Sequence, residues 1–228
     1  MNWVNEITVK AEGEVIAIDG KTSRGSKDTK KAQSPLHLVS AWACANRLVL
    51  GQEATAEKSN EIPTAHVTAI PKLLALLDIK GCIVTIDAMG CQTDIAAQVI
   101  EQGGDYSLGL KGNQESLHEA VEDYFITAKA ADFKAVTYDY VEEIDQEHGR
   151  LETRRYWICE DLTTLPKPER WKGLRSIGRS NAKRSSVARP RWNNAFLSTP
   201  LKPMPRHLLM RCVPIGALRI ACIGGLMW

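Results

Sequence analysis

The chain has 228 residues, of which 44% are hydrophobic and 25% charged, and its formal net charge at pH 7 is +2. This length suits one large domain, or a medium domain with an appendage. No apolar run reaches the roughly 18 residues of a membrane span, and the N-terminus lacks the apolar segment of a secretory signal. We therefore expect a cytoplasmic protein, with no membrane segment and with its six cysteines reduced.

The charge is unevenly distributed along the chain. Residues 180–228 contain eight basic side chains, five prolines and no Asp or Glu. Residues 1–179 hold the other 21 of the 29 basic residues and all 27 acidic ones, a balance of −6. That balance does not favour nucleic-acid binding by the main body, because sequence-independent affinity for phosphates comes mainly from basic side chains. The last 49 residues differ in composition from everything before them.

The hydrophobic pattern predicts a mixed α/β order. Apolar and β-branched runs predict strands at 15–19, 35–43, 47–55, 82–87 and 105–112, the second and third forming an antiparallel pair. Helical spacing predicts helices at 68–79, 92–104 and 113–125, with Pro71 in a first turn and Asn113 as a cap. Alternation over 135–159 predicts a β-hairpin that turns near residues 147–149. A mixed sheet covered by helices is the simplest fold for this order.

Two of these strands run into an aspartate, VIAID at Asp19 and CIVTID at Asp87. Ligand chemistry in α/β sheets gathers beyond the carboxyl ends of strands, so both carboxylates point at one spot if the first and fourth strands are neighbours. Paired carboxylates suit Mg²⁺. However, Asp-Gly is also an ordinary turn signal and Asp caps helices, and for Asp19 alone turn duty is the stronger interpretation. Both interpretations remain open on these residues.

Several longer stretches carry a family resemblance: VIAIDGKTSRG, PLHLVSAWA, EKSNEI, AIPKLLALLDIKGCIVTIDAMGCQ, LKGNQ, HGRLETRRYWI and WKGLRSIG. With them the chain resembles the H-repeat-associated, ISAs-type insertion-sequence transposases of the DDE class, over nearly all of residues 2–179. The resemblance implies a ribonuclease-H-like fold, with Asp19 and Asp87 as the first two catalytic carboxylates and as Mg²⁺ ligands. It implies DNA strand cleavage, followed by attack of the freed 3′-hydroxyl on a target strand. The partners implied are the transposon ends and the target DNA, with a possible homo-oligomer on DNA.

The chain departs from the family pattern at two places. PTAHV, at 63–67, looks like five residues inserted into a loop, and relatives carry a segment upstream of the position where this chain starts. We therefore expect a chain truncated at its N-terminus, with its recognition of transposon ends affected. Lys21, Arg24 and Lys111 follow strand ends on the expected active face, where they could contact DNA phosphates; an ordinary surface position is about equally consistent.

The family's third acid lies in a C-terminal H-W-x-I-E-N-x-L-H-W-x-L-D-V segment, which is absent in frame. A shifted reading frame can be examined by starting each codon at the third base of a codon used here. From Leu208 onward, the codons possible in that frame allow the sequence A-H-A-V-R-S-H-W-G-I-E-N-S-L-H-W-G-L-D-V. Leu218 followed by Arg219 then allows the missing glutamate, and Met227 followed by Trp228 forces valine. We infer a frameshift near Arg179. Residues 180–228 are then an out-of-frame tail with no domain of its own, which we expect to have no stable fold.

These observations predict a partial DDE core over 1–179, with a β-rich insertion at about 132–160, and an inactive transposase fragment. Two alternatives remain. One is a residual nuclease in which Glu152 replaces the third acid, although a solvated cross-strand ladder is the more natural role for Glu152. The other is a non-catalytic DNA-binding or regulatory fragment, which the −6 balance of the body disfavours.

Overall fold

The computed structural model describes residues 13–23, 26, 36–54, 62–147, 150–184 and 191–198. Within these ranges, nine strands and three α-helices follow one another along the chain. They are β1 (Val15–Ser23), β2 (Leu36–Ala43), β3 (Leu48–Ala54), α1 (Ile62–Ala75), β4 (Ile83–Ile86), α2 (Thr93–Glu101), β5 (Asp105–Leu110), α3 (Glu115–Ala130), β6 (Tyr138–Glu147), β7 (Arg150–Cys159), β8 (Ser176–Arg184) and β9 (Arg191–Ser198). None of the described helices is long and apolar enough to cross a membrane.

The described strands form one sheet in the order β3-β2-β1-β4-β5-β9-β8-β7-β6. The pairs β1–β4 and β4–β5 are parallel, and every other neighbouring pair is antiparallel. The structure confirms the mixed sheet with flanking helices, the antiparallel β2–β3 pair and the β6–β7 hairpin predicted from the pattern. It also makes the first and fourth strands neighbours, which is the condition for bringing the two aspartates together.

The apolar core joins one face of the central strands to the helices. Even-numbered side chains of β4, β5 and the first half of β1 are buried there, including Ile16, Ile18, Val84, Ile86 and Leu108. They pack with apolar residues of all three described helices, because alternation along a strand directs every second side chain to the same face. The odd-numbered residues, which include Asp19 and Asp87, consequently belong to the opposite face.

Helix α1 differs from the prediction at its start. It begins at Ile62 rather than at 68, so the five residues 63–67 extend a helix and do not lie in a loop as expected. Pro71 is therefore inside the helix and not in its first turn. A proline there supplies no backbone N–H, but its own carbonyl is satisfied, since it accepts a hydrogen bond from Gln98 Nε2 at 2.9 Å.

The start of the basic C-terminal stretch also differs from the prediction that nothing after Arg179 joins the fold. Strand β8 continues to Arg184, and β9 pairs with both β5 and β8. The physical reason is that the hydrogen bonds between strands join backbone groups and therefore depend little on which side chains are present. The edge of β5 that β4 does not cover has backbone N–H and C=O groups that can pair with any extended segment. The remaining residues of that stretch, 185–190 and 199–228, lie outside the described part.

Candidate active site

Asp19 lies on β1 and Asp87 directly follows β4, at equivalent positions along these adjacent parallel strands. The register pairs Ile18 of β1 with Ile86 of β4, and each aspartate is the next residue along. Adjacent strands lie about 4.8 Å apart, so the two backbones are close at this level and both side chains lie on the same face. Both residues are partly buried. The structure thus brings together the two acids that the sequence singled out.

Asp19 is not a turn residue. Strand β1 continues for four residues beyond it, and Asp19 pairs with Ser40 of the antiparallel neighbour β2. The turn interpretation of the Asp-Gly pair is therefore wrong, as is the expectation that β1 ends there. What ends at this level is β4, whose last residue is Ile86. Asp19 is consequently placed where β1 loses one of its two neighbours and the sheet opens.

Asp87 has a structural role as well, as the helix-capping alternative anticipated. It precedes a 3₁₀ turn, Ala88–Gly90, and its Oδ1 accepts a hydrogen bond from the Met89 N–H at 3.1 Å. A carboxylate has lone pairs for several partners, so this cap does not prevent it from ligating a cation. The turn is tightly packed: a Cβ added at Gly90 would overlap Ile86 Cγ2 and lie 2.9 Å from Ile70 Cδ1.

A second loop is bound to this turn. Between β5 and α3, the Asn113 side-chain amide donates to the carbonyl oxygen of Ala88, and Gln114 Nε2 donates to that of Cys91 at 3.0 Å. Asn113 was predicted to cap α3, and this is wrong: the cap position is Gln114, which makes no side-chain capping bond. Local patterns could not reveal these contacts, because the partners are 25 and 23 residues apart in sequence.

The face that carries the acids is closed below them. Two residues before Asp19 and Asp87 lie Ala17 and Thr85, which pair in register with each other and, through Thr85, with Ser107 of β5. All three are almost fully buried. Within the described part of the chain, the hydroxyls of Thr85 and Ser107 have no hydrogen-bond partner. Access to this face therefore begins at the level of the aspartates, at the carboxyl ends of the strands.

The basic residues expected near the acids are only partly described. Lys21 is exposed on β1 and, two residues beyond Asp19, lies on the same face by alternation. Lys111 is exposed directly after β5. Arg24 lies outside the described residues. Lys21 lies inside β1, so the expectation that it follows the end of its strand is wrong. An anionic ligand that approaches the carboxylates would nevertheless meet two exposed cations, Lys21 past the level at which β4 ends and Lys111 directly after β5.

Glu152 is not part of this group. The strand registers place Ile86 of β4 in one row across the sheet with paired residues of β5, β9 and β8, and this row reaches Cys159 of β7. Four strand spacings amount to about 19 Å across the sheet, and the seven residues from Cys159 back to Glu152 add about 23 Å along the strand. Glu152 instead forms an ion pair with Arg154, with 3.3 Å between Oε2 and Nη2.

The two aspartates match the preferences of a hard divalent cation. Mg²⁺ is commonly bound through one or two carboxylates, with water and substrate phosphates completing its shell. Among the described residues, no group of three or more His, Cys, Asp or Glu side chains could hold a metal. Two carboxylates leave positions in the shell of such an ion for a phosphate-bearing ligand.

Comparison with known proteins identifies clear relatives. The family described as "Transposase DDE domain" matches residues 10–212. "Putative transposase YncI" of Escherichia coli O157:H7 is 44% identical over 178 residues, covering 78% of this chain and 44% of that protein. "H repeat-associated putative transposase YhhI" of E. coli K12 is 40% identical over 189 residues, covering 82% of this chain and 48% of that protein. The chain thus spans about half the length of these relatives.

One solved structure shows a more distant likeness. A piggyBac transposase synaptic complex with hairpin DNA gives a TM-score of 0.43 at 10% identity, covering 90% of this chain and 39% of that one. This likeness is too weak to support a conclusion about the site.

Proposed function

Because the chain belongs to the transposase DDE domain family, we propose that it is part of a DNA transposase in which Asp19 and Asp87 bind Mg²⁺. The observation that carries the proposal is the parallel β1–β4 register, which makes the two acids neighbours on one face. The proposed fold is ribonuclease-H-like, the substrates are transposon-end and target DNA, and the reactions are strand cleavage and strand transfer.

In this proposal, the described residues bind either the metal ion or the DNA. Asp19 and Asp87 hold the ion at the carboxyl ends of the strands, where the face becomes accessible. A bound divalent ion supplies Lewis acidity toward a phosphodiester and stabilises developing charge on its oxygens. The exposed Lys21, past the level at which β4 ends, and Lys111, directly after β5, contact DNA phosphates and position the strand.

We further propose that this chain is inactive in cleavage. Its third acid is encoded out of frame after Arg179, and residues 1–179 are the surviving part of the core. The geometry disfavours rescue by Glu152, which lies on the order of 20 Å away both across and along the sheet. Misplacing reacting groups can by itself cost about 100-fold in rate. A residual nuclease that depends on Glu152 is therefore the weaker alternative.

The test compares the natural chain with one whose reading frame is restored after Arg179. Both are incubated with Mg²⁺ and DNA that carries the sequences flanking the gene, and nicked product is quantified. We expect the restored protein to cleave at least about 100-fold faster. Asp19→Asn and Asp87→Asn in the restored protein should abolish cleavage, whereas Asp123→Asn, an exposed carboxylate on α3, should not.

Equal cleavage by the natural and restored chains would overturn the proposed inactivity. Cleavage that survives both substitutions, Asp19→Asn and Asp87→Asn, would overturn the proposed active site. DNA binding by the natural chain without any cleavage by the restored one would instead favour a DNA-binding or regulatory role.

A further inference from the structure

We propose that Asn113 and Gln114 are positioning residues that hold the Asp87 carboxylate in place for the metal ion, an inference that rests on the proposed function. They touch neither the ion nor the DNA in this account. They act through the turn that carries Asp87, by hydrogen bonds from a neighbouring loop.

The two amides hold both ends of that turn. Asn113 donates to Ala88, the residue directly after Asp87, and Gln114 donates to Cys91, the residue that closes the 3₁₀ turn. The two acceptors thus bracket the turn, with one bond beside the functional carboxylate and one at the far end. A turn tied at both ends has little freedom to rotate Asp87 away from β1.

The need for such an external tie follows from the chemistry of Asp87. Within the turn, its Oδ1 already accepts the Met89 N–H. A cation can share this carboxylate, but it draws electron density from the oxygens and so weakens the hydrogen bond that shapes the turn. The bonds from Asn113 and Gln114 end on backbone carbonyls and do not use the carboxylate. They keep the turn folded when Asp87 is engaged by the ion.

The loop that supplies these bonds is itself anchored. Leu110 at the end of β5 is 1% exposed, and Leu117 in the first part of α3 is 4% exposed. Asn113 and Gln114 lie in the short 3₁₀ turn between these two core residues. The backbone that carries the two amides is therefore anchored on both sides, while Asn113 itself is exposed and Gln114 is half-buried. The amides are held by their hydrogen bonds to the Asp87 turn.

The test measures Mn²⁺ binding to the full 228-residue chain by electron paramagnetic resonance, a readout that does not require activity. The variants are Asn113→Ala and Gln114→Met, the latter keeping the side-chain length while removing the donor. The matched control is Gln98→Met, which removes the same kind of bond, to the Pro71 carbonyl, between α2 and α1. Unfolding midpoints in urea are recorded for each variant.

We expect Asn113→Ala and Gln114→Met each to weaken Mn²⁺ binding by about 10-fold or more, as is typical for partners of metal ligands. Gln98→Met should leave the affinity unchanged while lowering the unfolding midpoint as much as Gln114→Met does. Amide exchange at Met89, measured without metal, should accelerate only in the Asn113 and Gln114 variants.

The outcomes separate this inference from the proposed function. If Asp19→Asn and Asp87→Asn abolish Mn²⁺ binding while Asn113→Ala and Gln114→Met behave like Gln98→Met, the positioning role is overturned and the metal site stands. If the unmodified chain binds no Mn²⁺, or binds it regardless of Asp19 and Asp87, the metal site and the positioning role both fall.

Discussion

Replacing Gly90 with alanine should destabilise the protein at the turn that carries Asp87. Gly90 is buried, and an added Cβ would overlap Ile86 Cγ2 and lie 2.9 Å from Ile70 Cδ1. Both neighbours belong to the packed core, so they can move only by displacing other side chains. Overpacking of this kind costs about 1–3 kcal/mol in the free energy of unfolding.

The measurement is urea unfolding followed by circular dichroism. With a typical slope of about 2 kcal/mol per molar urea, Gly90→Ala should lower the midpoint by about 0.5–1.5 M. Gly112→Ala is the matched control, since an added Cβ there meets nothing within 4 Å and the residue is exposed. Its free energy of unfolding should change by no more than about 0.5 kcal/mol.

A second substitution tests the stated cause. Ile70→Val removes the Cδ1 atom that the new Cβ would approach, and alone it should cost about 0.5–1.5 kcal/mol. In the Gly90→Ala background the same change should cost less, because it relieves part of the overlap. Equal stability of Gly90→Ala and Gly112→Ala, or strictly additive effects of Gly90→Ala and Ile70→Val, would refute the packing argument.

Three further predictions concern other described contacts. Burial raises the pKa of the Cys91 thiol to about 12, so iodoacetamide at pH 8 should label it only in urea; labelling of the folded protein would contradict its buried position. Arg179→Ala should lower the free energy of unfolding by about 1–3 kcal/mol, because Arg179 is buried and its guanidinium donates to the backbone carbonyl and the carboxylate of Glu122. Glu122→Gln should cost less, because that side chain is more exposed; the reverse order in urea unfolding would contradict this reasoning. Glu152→Ala in the frame-restored protein should leave DNA cleavage within about twofold, since Glu152 pairs with Arg154 far from the acids; a loss of about 100-fold would show that it serves the reaction.

The sequence was most informative where local pattern and burial agree. Runs of apolar residues ending in Asp19 and Asp87 predicted β1, β4 and their adjacent acids, because strands buried on both faces are continuously hydrophobic. Cys82 and Cys91 are buried, as is usual for small apolar side chains, whereas Cys44 is partly exposed.

Prediction failed where the deciding contact is distant in sequence or independent of side chains. Asn113 resembles a helix cap locally, yet its amide is used by Ala88 on another loop. Pro71 favours a first turn, but α1 begins nine residues earlier, at Ile62. Strand β9 has no strong pattern of its own; it is selected by the backbone edges of β5 and β8.

The most direct test of the account is a crystal structure of the protein grown with Mn²⁺, with data collected for anomalous scattering. The adjacent positions of Asp19 and Asp87 predict an anomalous peak within about 2–2.4 Å of one carboxylate oxygen from each residue. Peaks found only elsewhere at saturating Mn²⁺, or a peak bound by one of these aspartates without the other, would contradict a shared metal site.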